Sequence, residues 1–252
     1  MKFLCLHGMS TNAQTLRNQV LKTQLSPLIY ELGKDKTITF HFLNGPIESA
    51  PFPGLASTIP GPFFRYYDGI ELDVSDPPPE VLDLPKSTTS PGDFVRGLRR
   101  LGLEYEKSQQ ARDYVQDYAD KTEPESYDGI IGFSEGASVA ASVLLHQANI
   151  SHSRPFKCAI FFSGGPPYDA DSKKSVLADE TDECIDVPSV HVVGSKDPAR
   201  LASMALYEIC NKDSALLVEH HQGHAIPWER ATTKFIVEAI KRAIGRANAM
   251  EC

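Results

Sequence analysis

Hydrophobic residues fall into short apolar runs that alternate with longer amphipathic stretches along most of the chain. Short apolar runs are typical of strands buried on both faces of a sheet, and here they predict strands at residues 3–6, 38–43, 127–131, 157–163, 188–194 and 216–221. The longer stretches predict helices at residues 12–32, 92–118, 137–148, 200–210 and 228–247. This order is typical of an α/β protein with a mostly parallel sheet and helices on both faces. No internal repeat or linker is visible, so we expect one domain over residues 1–252.

One segment, at about residues 48–91, breaks this alternation. It is rich in proline and glycine and contains the run Asp76-Pro77-Pro78-Pro79. A loop of this length in a compact domain is often functional, so we expect an insertion that forms a flap over the site. Its aromatic residues would offer apolar surface to a substrate; they are Phe63, Phe64, Tyr66 and Tyr67. The alternative is a surface excursion with a small apolar cluster of its own.

Composition and charge narrow the functional classes. The 252 residues are 41% hydrophobic and 23% charged, which is ordinary for a soluble globular protein. The net charge of −8 gives no electrostatic basis for binding nucleic acid, and we expect a small-molecule substrate. No apolar run reaches the roughly 18 residues of a membrane span. The five cysteines form no C-x-x-C pair, which favours a reducing compartment, and we expect a cytoplasmic protein.

The stretch with the clearest chemical meaning is Gly132-Phe133-Ser134-Glu135-Gly136, which has the form G-x-S-x-G. It lies between a predicted strand and a predicted helix, which is the setting of a nucleophile elbow. In such a turn the serine takes an unfavourable backbone conformation, and the two glycines let the strand and the helix approach closely. We therefore predict that Ser134 is a nucleophile.

A serine hydroxyl needs a base to remove its proton and a third group to orient that base. On an α/β-hydrolase scaffold the order along the chain is serine, acid, histidine. Asp197 and His224 follow Ser134 in this order, each just after a predicted strand. Because ligand sites lie at the carboxyl ends of parallel strands, all three should meet at one edge of the sheet. Asp197, which precedes a proline, could instead be a turn or helix-cap residue.

Other histidines are weaker candidates for the base. His220 and His221 lie within the last predicted strand, on opposite faces, and His191 is mid-strand, as expected of a core residue. A zinc site at residues 220, 221 and 224 lacks matched cysteine or acidic ligands. We expect neither a metal nor an organic cofactor.

Acyl transfer also needs hydrogen-bond donors for the developing oxyanion. One should be the backbone N–H of Glu135, which follows the nucleophile, and the other should come from the loop after the first strand. We assign the second donor to the backbone of Met9. His7, which lies before Gly8 in this loop, fits a structural hydrogen-bonding role better than a catalytic one.

Four motifs together carry a family resemblance: L-C-L-H-G at 4–8, G-F-S-E-G at 132–136, G-S-K-D-P at 194–198 and G-H-A-I-P at 223–227. They resemble the fungal family of small serine hydrolases (FSH) in the α/β-hydrolase superfamily, from the first strand to the last helix. The opening L-C-L-H-G-M and the run F-F-R-Y-Y-D at 63–68 are similar to members that accompany polyketide synthases. The resemblance implies hydrolysis of carboxylic esters or thioesters, with an acyl carrier protein as an expected partner. An acyltransferase, a C–C bond hydrolase and a non-catalytic ligand-binding protein remain alternatives.

Overall fold

The computed structural model describes residues 1–21, 38–51, 59–67, 90–100, 108–121, 126–150, 156–169 and 172–250. Its strands are β1 Lys2–Leu6, β2 Thr39–Leu43, β3 Ile47–Ser49, β4 Phe63–Arg65, β5 Gly129–Phe133, β6 Cys158–Phe162, β7 Tyr168–Asp169, β8 Lys174–Ser175, β9 Ser189–Gly194 and β10 Ala215–His220. Its helices are α1 Ala13–Leu21, α2 Pro91–Arg100, α3 Ser108–Lys121, α4 Glu135–Ile150, α5 Arg200–Glu208 and α6 Arg230–Ala249.

Six strands form the central sheet, in the order β10-β9-β6-β5-β1-β2. Every pairing between neighbours is parallel, so the carboxyl ends of all six strands lie along one edge. The strand β5 leads into the G-x-S-x-G motif and lies between β1 and β6. The predicted nucleophile is therefore in the middle of this edge, where loops from both sides can reach it.

Side chains alternate along the strands and supply two separate cores. Leu4, Leu6 and Ile130 belong to a core that includes residues of α3, α4 and α5. Phe3, Cys5 and Ile131 point to the opposite face and belong to a core that includes residues of α1 and α6. Full burial of a Leu, Ile or Phe side chain contributes about 1.5–3 kcal/mol to the free energy of folding. This two-sided burial explains why the strands read as continuous apolar runs.

The six predicted strands are confirmed, with ends that shift by one or two residues. The segment at about residues 48–91, expected to be a loop that forms a flap, includes most of the short antiparallel pair of β3 and β4. Residues 52–58 and 68–89 of that segment lie outside the described residues, as do 22–32 and 101–107 of the two longest predicted helices. In the described part of the chain, no helix is both long and apolar enough to cross a bilayer.

Candidate active site

The turn between β5 and α4 places Ser134 at the carboxyl edge of the sheet. Its φ of 55° is in the left-handed region, which non-glycine residues rarely adopt. The conformation is held by the Ser134 N–H, which donates to the carbonyl of Phe162 across 2.9 Å. The flanking glycines are needed for space. A Cβ at Gly132 would lie 2.5 Å from the Ala137 nitrogen, and one at Gly136 would lie 2.5 Å from the His7 carbonyl oxygen.

The three residues predicted from the sequence are brought together at this edge. The Nε2 atom of His224 lies 2.8 Å from Oγ of Ser134. On the other side of the ring, Nδ1 lies 2.9 Å from Oδ2 of Asp197 and 3.1 Å from Oδ1. A carboxylate beside Nδ1 keeps the proton on that nitrogen, so Nε2 is free to accept the serine proton.

The loops that carry Asp197 and His224 are joined by backbone contacts. The N–H groups of Ser195 and Lys196 donate to the carbonyls of His220 and Gln222, across 2.7 and 3.2 Å. Gly194 makes this approach possible, because a Cβ there would lie 2.5 Å from the Gln222 carbonyl oxygen. Gly194, the glycine of the G-S-K-D-P motif, therefore lets the two loops pack closely, in addition to its place in the turn of that motif.

The Asp197 side chain is fully buried, whereas the His224 side chain is 36% exposed. Burial alone would raise the pKa of Asp197, but hydrogen bonding to His224 and to the Ala199 N–H outweighs it and lowers that pKa. The Ala199 bond is 2.8 Å long. Asp197 is therefore ionised at neutral pH and stabilises positive charge on the imidazole.

The loop after β1 is also held beside the nucleophile. A Cβ on Gly8 would lie 3.3 Å from the Ser134 Cβ. The Gly8 carbonyl accepts two hydrogen bonds, from Nδ1 of His7 at 2.7 Å and from Oγ of Thr11 at 2.6 Å. Because the C=O and N–H of a trans peptide point in opposite directions, the Met9 N–H is turned away from His7 and Thr11.

His7 has the structural role that its place in the sequence predicts. The Gly45 N–H donates to Nε2 across 2.9 Å, which leaves the ring proton on Nδ1 for the bond to Gly8. The side chain is completely buried, and burial lowers its pKa to about 4. His7 is therefore neutral at pH 7, and both of its ring nitrogens are hydrogen-bonded.

The side chain of Glu135, as well as its backbone, takes part in the structure of the site. Its side chain is buried, and Oε2 and Oε1 accept the N–H groups of Tyr66 at 2.9 Å and of Tyr67 at 3.3 Å. The prediction that the two tyrosines present apolar surface is corrected here, because each is only 1% exposed and lies in the core that contains α4. Their burial follows from these backbone bonds and from the bond between the Tyr66 hydroxyl and the Leu43 carbonyl, 2.8 Å.

Phe63 and Phe64 are half-buried, so each keeps some accessible surface. The Phe64 N–H donates to the Thr11 carbonyl across 2.7 Å, which places β4 against the loop after β1. A role for Phe63 and Phe64 in contacting substrate remains a prediction.

The three histidines named as weaker candidates for the base have different surroundings. His191 is buried, with Nε2 3.1 Å from Oγ of Ser189, as expected for a core residue. His220 is also buried, and its Nδ1 accepts the Gln222 N–H at 3.3 Å. His221 is exposed.

Sequence reasoning missed Thr11 and the carboxylate of Glu135. Thr11 is one of several small polar residues after β1, and such residues are common in any turn. An acidic residue in the first turn of a helix is equally common, because it interacts well with the helix dipole. Neither position carries a pattern that would have revealed its hydrogen-bond partners.

A parallel sheet whose central strand ends in a serine elbow, with a carboxylate and an imidazole supplied after later strands, defines an α/β-hydrolase. Acyl-protein thioesterase 2 of Zea mays shares the fold, with a TM-score of 0.54 at 15% identity over 96% of this chain and 93% of that one. A variant of SOBER1 from Arabidopsis thaliana has a TM-score of 0.56 at 17% identity, over 97% and 100% of the two chains.

The family model described as Serine hydrolase (FSH1) matches residues 1–236. The chain therefore belongs to the FSH1 family of serine hydrolases. Esterase FPY3 of Fusarium mangiferae is 30% identical over 256 residues, which cover 95% of this chain and 99% of that protein. Thioesterase FSL2 of Gibberella zeae is 26% identical over 251 residues, covering 94% and 90%.

Proposed function

We propose that this serine hydrolase cleaves carboxylic esters or acyl thioesters through an acyl-enzyme formed on Ser134. The observation that carries the proposal is the unbroken hydrogen-bond chain from Asp197 through His224 to Ser134, with heavy-atom distances of 2.9 and 2.8 Å. Such a chain activates a serine hydroxyl that would otherwise be a weak nucleophile.

In the first half-reaction the Ser134 oxygen attacks the acyl carbon while its proton passes to Nε2 of His224. Asp197 stabilises the imidazolium that results. The tetrahedral intermediate then collapses, and the leaving alcohol or thiol takes the proton from His224. In the second half-reaction water loses a proton to His224 and attacks the acyl-enzyme, which releases the carboxylic acid and restores Ser134.

The negative charge on the carbonyl oxygen would be bound by the N–H groups of Glu135 and Met9. The first N–H groups of a helix have no partner within the helix, so the Glu135 N–H at the start of α4 is suited to this role. The two bonds to the Gly8 carbonyl support the assignment of Met9, since they fix the orientation of the Gly8–Met9 peptide. One donor of this kind contributes roughly 3–4 kcal/mol to stabilisation of the transition state.

For the substrate, we propose an acyl chain of polyketide type that is released from an acyl carrier protein. Support comes from the similarity of residues 4–9 and 63–68 to members that accompany polyketide synthases, and from a relative named as a thioesterase. Phe63 and Phe64 keep accessible surface, so their side chains are available to contact an extended acyl group.

Intact-protein mass spectrometry tests this function. The protein is mixed with an acyl-pantetheine thioester, with the matching oxygen ester, and with the same acyl group on a carrier protein. We expect a transient mass increase equal to the acyl group, mapped to the peptide that contains Ser134, and no increase in Ser134→Ala. Acylation from pantetheine and not from the carrier protein would overturn the carrier-protein proposal, and acylation of Ser134→Ala would overturn the nucleophile.

A further inference from the structure

We propose that the side chain of Glu135 is a positioning residue that fixes residues 60–67 against the oxyanion site and so sets the fit of large acyl groups. The inference rests on the proposed function, because it assigns a substrate-dependent role to a side chain at the same site. The carboxylate of Glu135 would act through two segments of backbone and, unlike the backbone N–H of the same residue, would not touch the reacting atoms.

The contacts of Glu135 are those of an anchor. Its carboxylate is buried and binds two successive peptide N–H groups, one on each oxygen, from Tyr66 at 2.9 Å and Tyr67 at 3.3 Å. An ionised carboxylate accepts at both oxygens, whereas a protonated one carries an O–H at one of them and opposes a donor there. The ionised form is therefore the better acceptor of both bonds, and protonation weakens one of them.

The other end of the same segment is held by the loop after β1. The Thr11 carbonyl accepts the Phe64 N–H, and Nδ2 of Asn12 donates to the carbonyls of Pro60 at 3.1 Å and Pro62 at 2.8 Å. Residues 60–67 are thus attached at one end to the loop that contains Met9 and at the other to the elbow that contains Glu135. These two segments supply the proposed oxyanion donors.

Phe63 and Phe64 lie between the two anchors and are the aromatic residues of the segment that remain half-buried. Loss of the Glu135 anchor would let this strand move relative to Ser134. A short acyl group that ends near the serine would be affected little. A longer one, which reaches the aromatic side chains, would be affected more.

Several groups around Glu135 influence its charge. Burial raises its pKa, while the two N–H bonds and the positive charge of Arg65 lower it, and the net result is a pKa of about 7. The Tyr66 hydroxyl is buried and bonded to the Leu43 carbonyl, and the His7 ring, 4.9 Å from that of Tyr66, is neutral. The anchor is therefore strongest above neutral pH, and one of its two bonds is weakened below it.

The test compares kcat/KM for p-nitrophenyl decanoate with that for p-nitrophenyl acetate between pH 6 and pH 9. Taking the ratio of the two values removes the titration of the triad, which is common to both esters. The variants are Glu135→Ala, which removes the anchor, and Glu135→Gln, which keeps one acceptor oxygen and cannot ionise. Glu238→Gln, an exposed residue of α6, is the matched control.

We expect the decanoate-to-acetate ratio to fall at least tenfold in Glu135→Ala and by a smaller factor in Glu135→Gln. The wild-type ratio should fall as pH is lowered through 7, and this dependence should be absent in Glu135→Gln. The Gln variant alone decides the matter if Glu135→Ala does not fold. An unchanged ratio in Glu135→Gln at every pH, or equal losses on both esters, would overturn the inference. If turnover by the wild-type protein did not depend on Ser134, the proposed function would be overturned instead.

Discussion

The hydroxyl of Thr11 donates a hydrogen bond of 2.6 Å to the carbonyl of Gly8, in the loop that follows the first strand. With the bond from His7, it leaves the Gly8–Met9 peptide little freedom to rotate. Preorganised donors stabilise a transition state because they need not reorient during the reaction. The orientation of the proposed Met9 donor is therefore set by side chains that never meet the substrate.

Thr11→Val removes one of these two bonds and keeps the shape of the side chain. A net hydrogen bond of about 1 kcal/mol corresponds to a fall in kcat of about fivefold, with KM nearly unchanged. Thr15→Val is the matched control, because Thr15 is buried on the next turn and its hydroxyl has no hydrogen-bond partner within the described part of the chain. Steady-state kinetics on a short ester measure both, and equal kcat values in the two variants would refute the role of Thr11.

Asp197→Asn tests the partner of the imidazole. An amide nitrogen facing Nδ1 of His224 favours the tautomer whose proton is on Nε2, where it blocks acceptance of the serine proton. We expect kcat to fall by about 10³–10⁴-fold while the far-ultraviolet circular dichroism spectrum stays the same. Asp182→Asn, at an exposed position, should keep wild-type activity. A loss smaller than tenfold in Asp197→Asn would assign the acid role to another residue.

Gly136→Ala tests the packing that permits the elbow. The added Cβ would meet the backbone carbonyls of Leu6 and His7, which cannot move without disturbing β1. We expect a loss of at least about 3 kcal/mol in the free energy of unfolding, measured in urea. The control is Gly245→Ala on α6, where a Cβ meets nothing within 4 Å. That change should stabilise the protein by about 0.5–1 kcal/mol, because alanine favours the helix.

We also expect Glu135→Gln to change how the free energy of unfolding depends on pH. The pKa of Glu135 is raised from 4.5 to about 7 in the folded protein, so its contribution to stability is fully present below pH 4.5 and is lost as pH rises through 7. At about 1.4 kcal/mol for each pH unit, the wild type should lose about 3 kcal/mol relative to Glu135→Gln over this range. Urea unfolding of both proteins from pH 4 to pH 8 measures the difference. A constant difference would show that the carboxyl group does not titrate there.

Much of the fold could be predicted because the strands are buried on both faces. Runs such as 158–162 are continuous apolar segments, and the packing of helices on both sides requires that pattern. The triad could be predicted for a related reason, since Ser134, Asp197 and His224 each follow such a run and parallel strands end at one edge.

The parts that could not be predicted depend on contacts between distant segments. Tyr66 and Tyr67 stand in a stretch rich in proline and glycine, which favoured exposure, yet a single buried carboxylate 68 or 69 positions later holds their backbone in the core. The strands β3 and β4 are three residues each, too short for an alternating pattern to distinguish them from loop. Their antiparallel pairing depends on where the two segments lie in the fold, which the sequence pattern does not give.

The central claim, that Ser134 is a nucleophile activated by His224, is tested most directly with a fluorophosphonate probe and peptide mapping. The serine oxygen displaces fluoride from phosphorus, so labelling reports the nucleophile without depending on the natural substrate. We predict one label, on the peptide that contains Ser134, no label in Ser134→Ala, and labelling at least about 100-fold slower in His224→Ala. Equal labelling of Ser134→Ala and the wild-type protein would contradict the account.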